Sequence, residues 1–126
     1  MAQIKSFEDY ILYDNLNDND DLNFSGEYLY EVCLAEAMLE EANFNNATLI
    51  NIDLSHANLN GASFISTKFK NVKFDNASIE NAKFINSYIK DSSFYNSCLT
   101  GSNFSYSKME NINFSSTLER IINKGD

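Results

Sequence analysis

The sequence predicts an all-β fold in which the chain winds into a four-sided solenoid and turns a corner every five residues. From Phe24 to Phe114 every fifth residue is Phe, Leu, Ile or Met, without exception. Two residues before each of these centres, from Val32 to Ile112, the side chain is small or β-branched. A period of five matches neither the roughly 3.6-residue turn of a helix nor the two-residue alternation of a strand. We therefore expect each unit to form one short segment and one corner, with both of these positions pointing inward.

The number of units in one coil follows from the order of the centres. Phe recurs at a spacing of twenty residues, which indicates that four units close one coil. Residues 24–116 would then form nearly five coils, stacked at roughly 4.8 Å through backbone hydrogen bonds. The predicted core contains this series and a second one at the same spacing: Phe24, Phe44, Phe64, Phe84, Phe104, Leu34, Leu54, Phe74, Phe94 and Phe114.

The N-terminal segment, residues 1–23, lies before the array and is predicted to cap its first coil, because an open end exposes apolar centres and unpaired strand edges. Its apolar residues Ile4, Phe7 and Ile11 recur near helical spacing, whereas residues 10–13 suit a strand equally well. Residues 14–21 form an acidic connection. They lack the central Gly and terminal Glu that a calcium-binding loop requires, so we interpret them as a solvated loop.

The corner position, two residues after each centre, is mostly Asn, Gly, Asp or Glu. Asn51, Asn71 and Asn111 fall on one edge of the solenoid, and Asn76 and Asn96 fall on the next edge. Stacked amide side chains hydrogen-bond to one another in other stacked sheets. We expect the same ladders along these edges.

The C-terminal segment, residues 117–126, carries a different signal. Ser116 and Glu119 fit a capping box, Leu118 and Ile122 share one face, and Gly125 is a stop signal. The pattern predicts a helix of about two turns whose apolar face closes the last coil. Part of that face is also available to a second copy of the chain, so both a monomer and a dimer through this end are consistent with the pattern.

Several units match a known consensus. Residues 42–46 read Ala-Asn-Phe-Asn-Asn, residues 57–61 read Ala-Asn-Leu-Asn-Gly, and residues 62–64 read Ala-Ser-Phe. The chain therefore resembles the pentapeptide-repeat family, whose loose consensus is Ala-Asp/Asn-Leu/Phe-X-X. The resemblance covers about three quarters of the chain. It implies a right-handed quadrilateral β-helix, and it implies that the C-terminal end is a candidate dimer interface. The run of Ser at the small position, from residue 87 to residue 107, departs from Ala but keeps the side chain small.

Residues for catalysis are scarce, and we predict that the chain is not an enzyme and has no cofactor or metal. His56 is the only histidine, and it sits at a corner beside Asp53 and Ser55, where a solenoid wall offers no pocket. Cys33 and Cys98 are predicted to face outward on different walls as free thiols. With no apolar run of membrane-spanning length and no apolar leader at the N-terminus, we expect a cytoplasmic location.

Charge is distributed unevenly along the chain. Residues 1–67 contain one Lys and twelve acids, a net of −11, whereas residues 68–126 contain eight bases and six acids, a net of +2, in agreement with the total of −9. The predicted walls bring lysines and tyrosines together, while glutamates gather in the first coil. The candidate interaction surface is Tyr28, Tyr30, Lys68, Lys70, Tyr88, Lys90, Lys108, Glu31, Glu36 and Glu41.

Three functions compete to explain these side chains, beside the simpler interpretation that they only keep the protein soluble. The first is a non-catalytic module that binds an unknown protein through a flat wall, as solenoids generally do. The second comes from the resemblance, since some family members are acidic rods that imitate duplex DNA and bind DNA gyrase, protecting it from quinolones. The lysines in the second half oppose that imitation, because duplex DNA is charged along its whole length. Direct nucleic-acid binding is opposed by the net charge.

Overall fold

The structure is a computed structural model that describes residues 22–117. The predicted N-terminal cap, apart from its last two residues, and the predicted C-terminal helix beyond residue 117 lie outside the described residues. Five parallel strands form one sheet in chain order: β1 (Tyr28–Tyr30), β2 (Thr48–Asp53), β3 (Lys68–Lys73), β4 (Tyr88–Lys90) and β5 (Lys108–Glu110). Within residues 22–117 every regular element is a strand, so the all-β prediction is confirmed.

The strands pair with a constant offset of twenty residues, so each coil contains four five-residue units. Leu29 pairs with Leu49, Leu49 with Phe69, and Phe69 with Ile89. Isolated bridges on the other walls have the same offset, for example Asn23 with Asn43. The result is a four-sided parallel β-solenoid. We name its walls by their centres: face A (24, 44, 64, 84, 104), face B (29, 49, 69, 89, 109), face C (34, 54, 74, 94, 114) and face D (39, 59, 79, 99).

The first coil begins slightly earlier than the sequence predicts. The Leu22 carbonyl accepts a hydrogen bond from the Asn43 N–H at 2.8 Å, and Leu22 packs against the core. The stacking of coils therefore includes residues 22 and 23, which the sequence assigned to the cap.

Each corner is made by a residue with positive φ, two positions after a centre. Sixteen non-glycine residues have φ between 52° and 64°, and Gly26, Gly61 and Gly101 have φ between 72° and 77°. At most corners after faces A, C and D a hydrogen bond closes the turn, as from the Ala37 N–H to the Leu34 carbonyl at 3.1 Å. After face B no bond of this kind closes the corners after Leu29, Ile89 and Met109, and β2 and β3 continue around that corner. Positive φ at the third residue of a turn is typical of type II turns.

The core consists of the centres and the small residues two before them, and two columns of stacked phenyl rings run through it. Met109 and Phe114, in the last coil, are only partly buried among the described residues. On face A the successive ring centroids are 4.6, 4.8, 4.7 and 4.5 Å apart. On face C the rings of Phe74 and Phe94 are 4.5 Å apart and parallel. The columns meet edge to face, as where Phe84 contacts Phe94 at 5.8 Å and 81°. Both arrangements are favoured by the ring quadrupole.

The buried serines that replace Ala at the small position are hydrogen-bonded. Ser87, Ser97 and Ser107 each donate their hydroxyl to the carbonyl of the centre three residues before, at 2.6 to 2.7 Å. Buried hydroxyls are destabilising when unpaired. These bonds remove that penalty, so the departure from Ala does not disturb the coil.

The amide ladders are also present. Asn71 donates from Nδ2 to Asn51 Oδ1 at 2.9 Å, and Asn96 donates to Asn76 Oδ1 at 2.7 Å. Asn111 donates to Asp91 Oδ1 at 2.9 Å, so an aspartate occupies one step of the first ladder. The predicted edge ladders are confirmed.

Candidate interaction surface

Face B carries most of the side chains that the sequence selected. Because its strands are in register, its outward residues form two straight rows. One row contains Tyr28, Thr48, Lys68, Tyr88 and Lys108, and the other contains Tyr30, Ile50, Lys70, Lys90 and Glu110. The structure therefore brings all seven predicted tyrosines and lysines onto one wall.

One end of face B is aromatic. Tyr28 is 59% exposed and Tyr30 is 45% exposed, and the half-buried Ile50 follows Tyr30 in the same row. The pKa of the Tyr30 phenol is raised, chiefly by a hydrogen bond with the Glu31 side chain and also by the negative charge of that carboxylate. Large, partly apolar side chains are thus held in contact with water on coils one and two.

The middle of face B is basic. A shallow groove of about 200 Å³ is lined by side chains of β2, β3 and β4: Thr48, Ile50, Lys68, Phe69, Lys70, Tyr88 and Lys90. Its three lysines have no ion pair or side-chain hydrogen bond with any residue in the range 22–117. The groove is therefore a positively charged site with an apolar base.

At the far end, Lys108 is not a free cation. Its Nζ lies 3.4 Å from Glu110 Oε1 and 5.5 Å from the centroid of the Tyr88 ring. The Tyr88 hydroxyl donates to Glu110 Oε2 at 3.1 Å. These three side chains form a closed cluster, and this part of the predicted surface is neutralised by Glu110, a residue that the sequence prediction did not include.

The glutamates of the predicted set are in the first coil, as expected, but they do not form one surface. Glu31, Glu36 and Glu41 are corner residues, and they occupy three successive edges of the solenoid. Glu31 alone borders face B. Sequence reasoning also missed Thr48 and Ile50, although the twenty-residue spacing places both of them between the tyrosines and the lysines.

The other residues considered for chemistry make local contacts or are exposed, and they do not converge on one site. Asp53 Oδ1 accepts the Ser55 N–H at 2.9 Å, while His56 is an exposed corner residue with φ of 61°. Cys33 is exposed and Cys98 is half-buried, and both are free thiols. Among residues 22–117, no group of three His, Cys, Asp or Glu residues is arranged to hold a metal. A search of the same residues found no helix with the length and apolar character needed to cross a membrane.

Comparison with known families agrees with this geometry. The sequence profile of a family described as pentapeptide repeat region matches residues 27–104. The chain belongs to the pentapeptide-repeat family. A search of curated proteins gave no match to this pentapeptide-repeat protein.

Solved structures with the same fold include a plant protein, a cyanobacterial protein and a plasmid-mediated resistance protein. A pentapeptide-repeat protein from the Arabidopsis thaliana thylakoid lumen is 21% identical with a TM-score of 0.62, covering 75% of this chain and 62% of its own. Rfr23 from the cyanobacterium Cyanothece 51142 is 22% identical with a TM-score of 0.51, covering 82% and 64%. The plasmid-mediated fluoroquinolone resistance protein QnrB1 is 14% identical with a TM-score of 0.52, covering 84% and 79%. At these identities the similarity shows the fold alone. The present protein spans less than two thirds of the length of the first two.

Proposed function

We propose that this pentapeptide-repeat protein is a non-catalytic scaffold that binds another protein through face B. The observation that supports the proposal is the group of aromatic side chains on a flat, regular sheet. Tyr28, Tyr30 and Tyr88 are 59%, 45% and 37% exposed. Tyrosine is enriched at protein interfaces because it combines a large apolar ring with a polar group at low entropic cost.

The rigidity of the solenoid supports the same proposal. Every strand of face B is bonded to its neighbours, and the core beneath it is fully buried from Leu29 to Ile89. A preorganised surface loses little conformational entropy on binding. Solenoid proteins use extended faces of this kind for recognition.

The test removes the aromatic end of face B. We expect the double variant Tyr28→Ser/Tyr30→Ser to lose the partner that the wild type captures from the cells in which the protein is made, as identified by mass spectrometry. Truncating an aromatic residue at the centre of an interface typically costs about 2 kcal/mol or more, or at least about tenfold in affinity.

The matched control is Met38→Ser/Tyr95→Ser, which removes exposed side chains from faces D and C. They are 61% and 44% exposed, so the loss of apolar surface is similar. Melting curves should show that both double variants remain folded. Equal capture by all three proteins, or loss in the control as well, would exclude face B as the binding surface.

A second candidate function is the imitation of DNA toward gyrase, and the acidity of the first coils favours it. Residues 22–61 contain six acidic residues and no Lys or Arg. The fold of the fluoroquinolone resistance protein QnrB1 is also similar, with a TM-score of 0.52. The exposed lysines of face B oppose this function, because they interrupt the negative potential along the rod.

Gyrase supercoiling assays separate the two functions. We expect no inhibition by the wild-type protein at micromolar concentration. If the protein imitates DNA, the variant Lys68→Glu/Lys70→Glu/Lys90→Glu/Lys108→Glu should inhibit more strongly, because the anionic surface is extended. If face B binds another protein, the same variant should capture that partner less well and leave gyrase unaffected. Clear inhibition by the wild type would favour DNA imitation over protein binding through face B.

We also propose that the protein acts in the cytoplasm. The support is chemical: the two cysteines are free thiols, which is typical of a reducing compartment. Fractionation of the producing cells, followed by immunoblotting, tests this location.

A further inference from the structure

Two lysines on face B stand side by side, and neither has a counter-ion among the residues that the structure describes. Lys70 on β3 pairs directly with Lys90 on β4, so their backbones are about 4.8 Å apart. Lys68 lies two residues before Lys70 on the same side of β3, roughly 7 Å away along the strand. Like charges opposite one another destabilise neighbouring strands. This arrangement is unfavourable unless something neutralises it.

Among residues 22–117 no carboxylate forms an ion pair with these lysines, and Asp91, the corner residue after Lys90, accepts a hydrogen bond from Asn111 instead. Lys70 has Ile50 on one side and Lys90 on the other, and Lys68 has Thr48 and Tyr88. Glu110, the acid of this face, is held by Lys108 and Tyr88 at 3.4 and 3.1 Å. Yet the chain as a whole has twice as many acids as bases, eighteen to nine. Unpaired positive charge is therefore concentrated at one place on an acidic protein.

The same lysines line a depression with apolar walls. The groove of about 200 Å³ lies between their side chains, and Ile50 and Tyr88 also line it, above the buried centre Phe69. Lysine side chains cover apolar surface with their methylene groups while the ammonium stays in water. A ligand that fits this site carries negative charges and a small apolar group on the same side.

We propose that the groove binds a short, extended acidic segment of the partner protein. The inference rests on the proposed function and names the chemistry of its partner. Carboxylates two residues apart in an extended chain are about 7 Å apart, which matches the separation of Lys68 and Lys70 along β3. An apolar side chain two residues before them lies on the same face of the extended segment and contacts Ile50 and Tyr88, and the remaining chain continues toward Tyr28 and Tyr30.

The charges around the groove favour a short acidic segment over a nucleic acid. A polynucleotide is longer than the groove and would extend over the first two coils, where residues 22–61 contain six acids and no base. The net charge of −9 repels a polyanion at long range. A segment with two or three carboxylates avoids that repulsion because it ends within the basic part of face B.

The test is a titration of the full-length, ¹⁵N-labelled protein with a defined peptide, Leu-Ser-Glu-Ser-Glu, whose Leu and Glu side chains share one face of an extended chain, at about 50 mM salt, where exposed charges are screened weakly. We expect chemical-shift changes in the amides of β2, β3 and β4. The variant Lys70→Gln/Lys90→Gln should weaken binding at least tenfold. Its melting temperature should be unchanged or higher, because a repulsive pair has been removed.

The matched control is Lys73→Gln/Lys83→Gln, which changes the net charge equally in the same region of the rod. Lys73 is on face C and Lys83 is on face A, and both are exposed. The control should bind the peptide as the wild type does. Equal weakening by both double variants would mean that binding follows net charge alone, and it would overturn the inference.

Three other probes distinguish the possible sources of the signal. The peptide Leu-Ser-Gln-Ser-Gln should bind at least tenfold more weakly, and equal binding would overturn the role of the carboxylates. Inorganic phosphate or an eight-residue oligothymidylate that binds more tightly than the acidic peptide would overturn the assignment to a peptide segment.

The outcome is separable from that of the proposed function. Partner capture that survives Lys70→Gln/Lys90→Gln but is lost in Tyr28→Ser/Tyr30→Ser would overturn this inference and leave the proposed function intact. Capture that survives both double variants would overturn both.

Discussion

At the scale of the residue, the fold depends on one backbone conformation that recurs at every corner. The left-handed region costs a non-glycine residue roughly 1 kcal/mol, less for Asn and Asp, whose short polar side chains bond locally. Sixteen non-glycine residues accept that conformation here. Each is compensated by the burial of two neighbouring side chains and by ladder bonds to the next coil. Asn is common at the corners because it adopts the left-handed conformation at a lower cost than most other residues.

His56 offers a direct measurement of the corner penalty. It is exposed, has φ of 61°, and makes no side-chain hydrogen bond with the described residues. We expect His56→Val to destabilise the protein by about 1–2 kcal/mol, because a β-branched residue tolerates positive φ worst. His56→Gly and His56→Asn should be neutral or slightly stabilising. Urea denaturation measures all three, and a neutral valine variant would contradict the assigned conformation.

The buried centres give the opposite test. Phe64 is fully buried and stacks on Phe44 and Phe84 at 4.8 and 4.7 Å. Phe64→Ala should cost about 3–5 kcal/mol, through lost transfer energy and the cavity left behind. Lys83→Ala, on the outward side of the same wall, should change stability by no more than about 0.5 kcal/mol. Equal losses in denaturant melts would contradict the inward and outward assignments.

At the scale of the element, the edges contribute their own bonds. Two side-chain pairs, Asn71 with Asn51 and Asn111 with Asp91, lie along the corner after face B. These bonds join successive coils at an edge where the corners after Leu29, Ile89 and Met109 have no turn hydrogen bond. The step at Asp91 accepts from Asn111, so the direction of donation is fixed there.

Placing a carboxylate at residue 71 should make the ladder sensitive to pH. Asn71→Asp removes the donor to Asn51 Oδ1 and adds a charge one coil from Asp91. Both effects favour the protonated form in the folded state, so the pKa of the new group is raised. The penalty should be absent below its unfolded pKa of about 3.9 and should grow, to the order of 1 kcal/mol, as pH rises through the folded value.

The control for this prediction is Asn71→Ala, which loses the same hydrogen bond without adding charge. Its cost should be about 0.5–1.5 kcal/mol and nearly independent of pH. The measurement is the unfolding free energy of each variant relative to wild type, at pH 4 and at pH 7. A pH-independent loss in the aspartate variant would show that the edge does not sense Asp91.

The sequence predicted most of this architecture because each level repeats. The Phe series gave the four-unit coil, and the spacing of Asn71 and Asn51 gave the ladder, since a constant offset fixes which residues are stacked. The repeat pattern could not predict how equivalent positions in different coils differ in their contacts. Whether Lys108 is free or paired depends on the side chains of Glu110 and Tyr88, and the open corner after face B depends on backbone geometry that the repeat pattern does not encode.

At the scale of the whole molecule, each coil bonds only to the coil before it and the coil after it. Such a rod behaves as a one-dimensional stack whose stability is a sum of nearest-neighbour terms. Its charge is also divided along the axis. Residues 22–61 contribute a net charge of −6, and residues 62–117, with six lysines and four acids, contribute +2. Position along the rod therefore determines the local potential, and face B crosses the boundary.

Deletion of one whole coil should be tolerated better than deletion of a quarter of one. Removing residues 66–85 joins Ile65 to Asn86 and keeps every later unit on its own face, because the offset is twenty. Removing residues 66–70 shifts all later units by one face and takes the Phe columns out of alignment. We expect cooperative thermal unfolding for the first variant and a less stable or non-cooperative chain for the second, by circular dichroism. The reverse order would contradict the four-unit coil.

The fixed offset between coils also has a consequence for how such a gene changes. Slippage that copies or loses five codons preserves the reading frame and the local pattern, yet it rotates everything downstream by a quarter turn. An event of twenty codons lengthens or shortens the rod and leaves both flanking surfaces facing as before. Lineages that keep a functional face B are therefore expected to vary in length by whole coils. Insertions or deletions of twenty codons would be inherited, and those of five codons would be removed by selection.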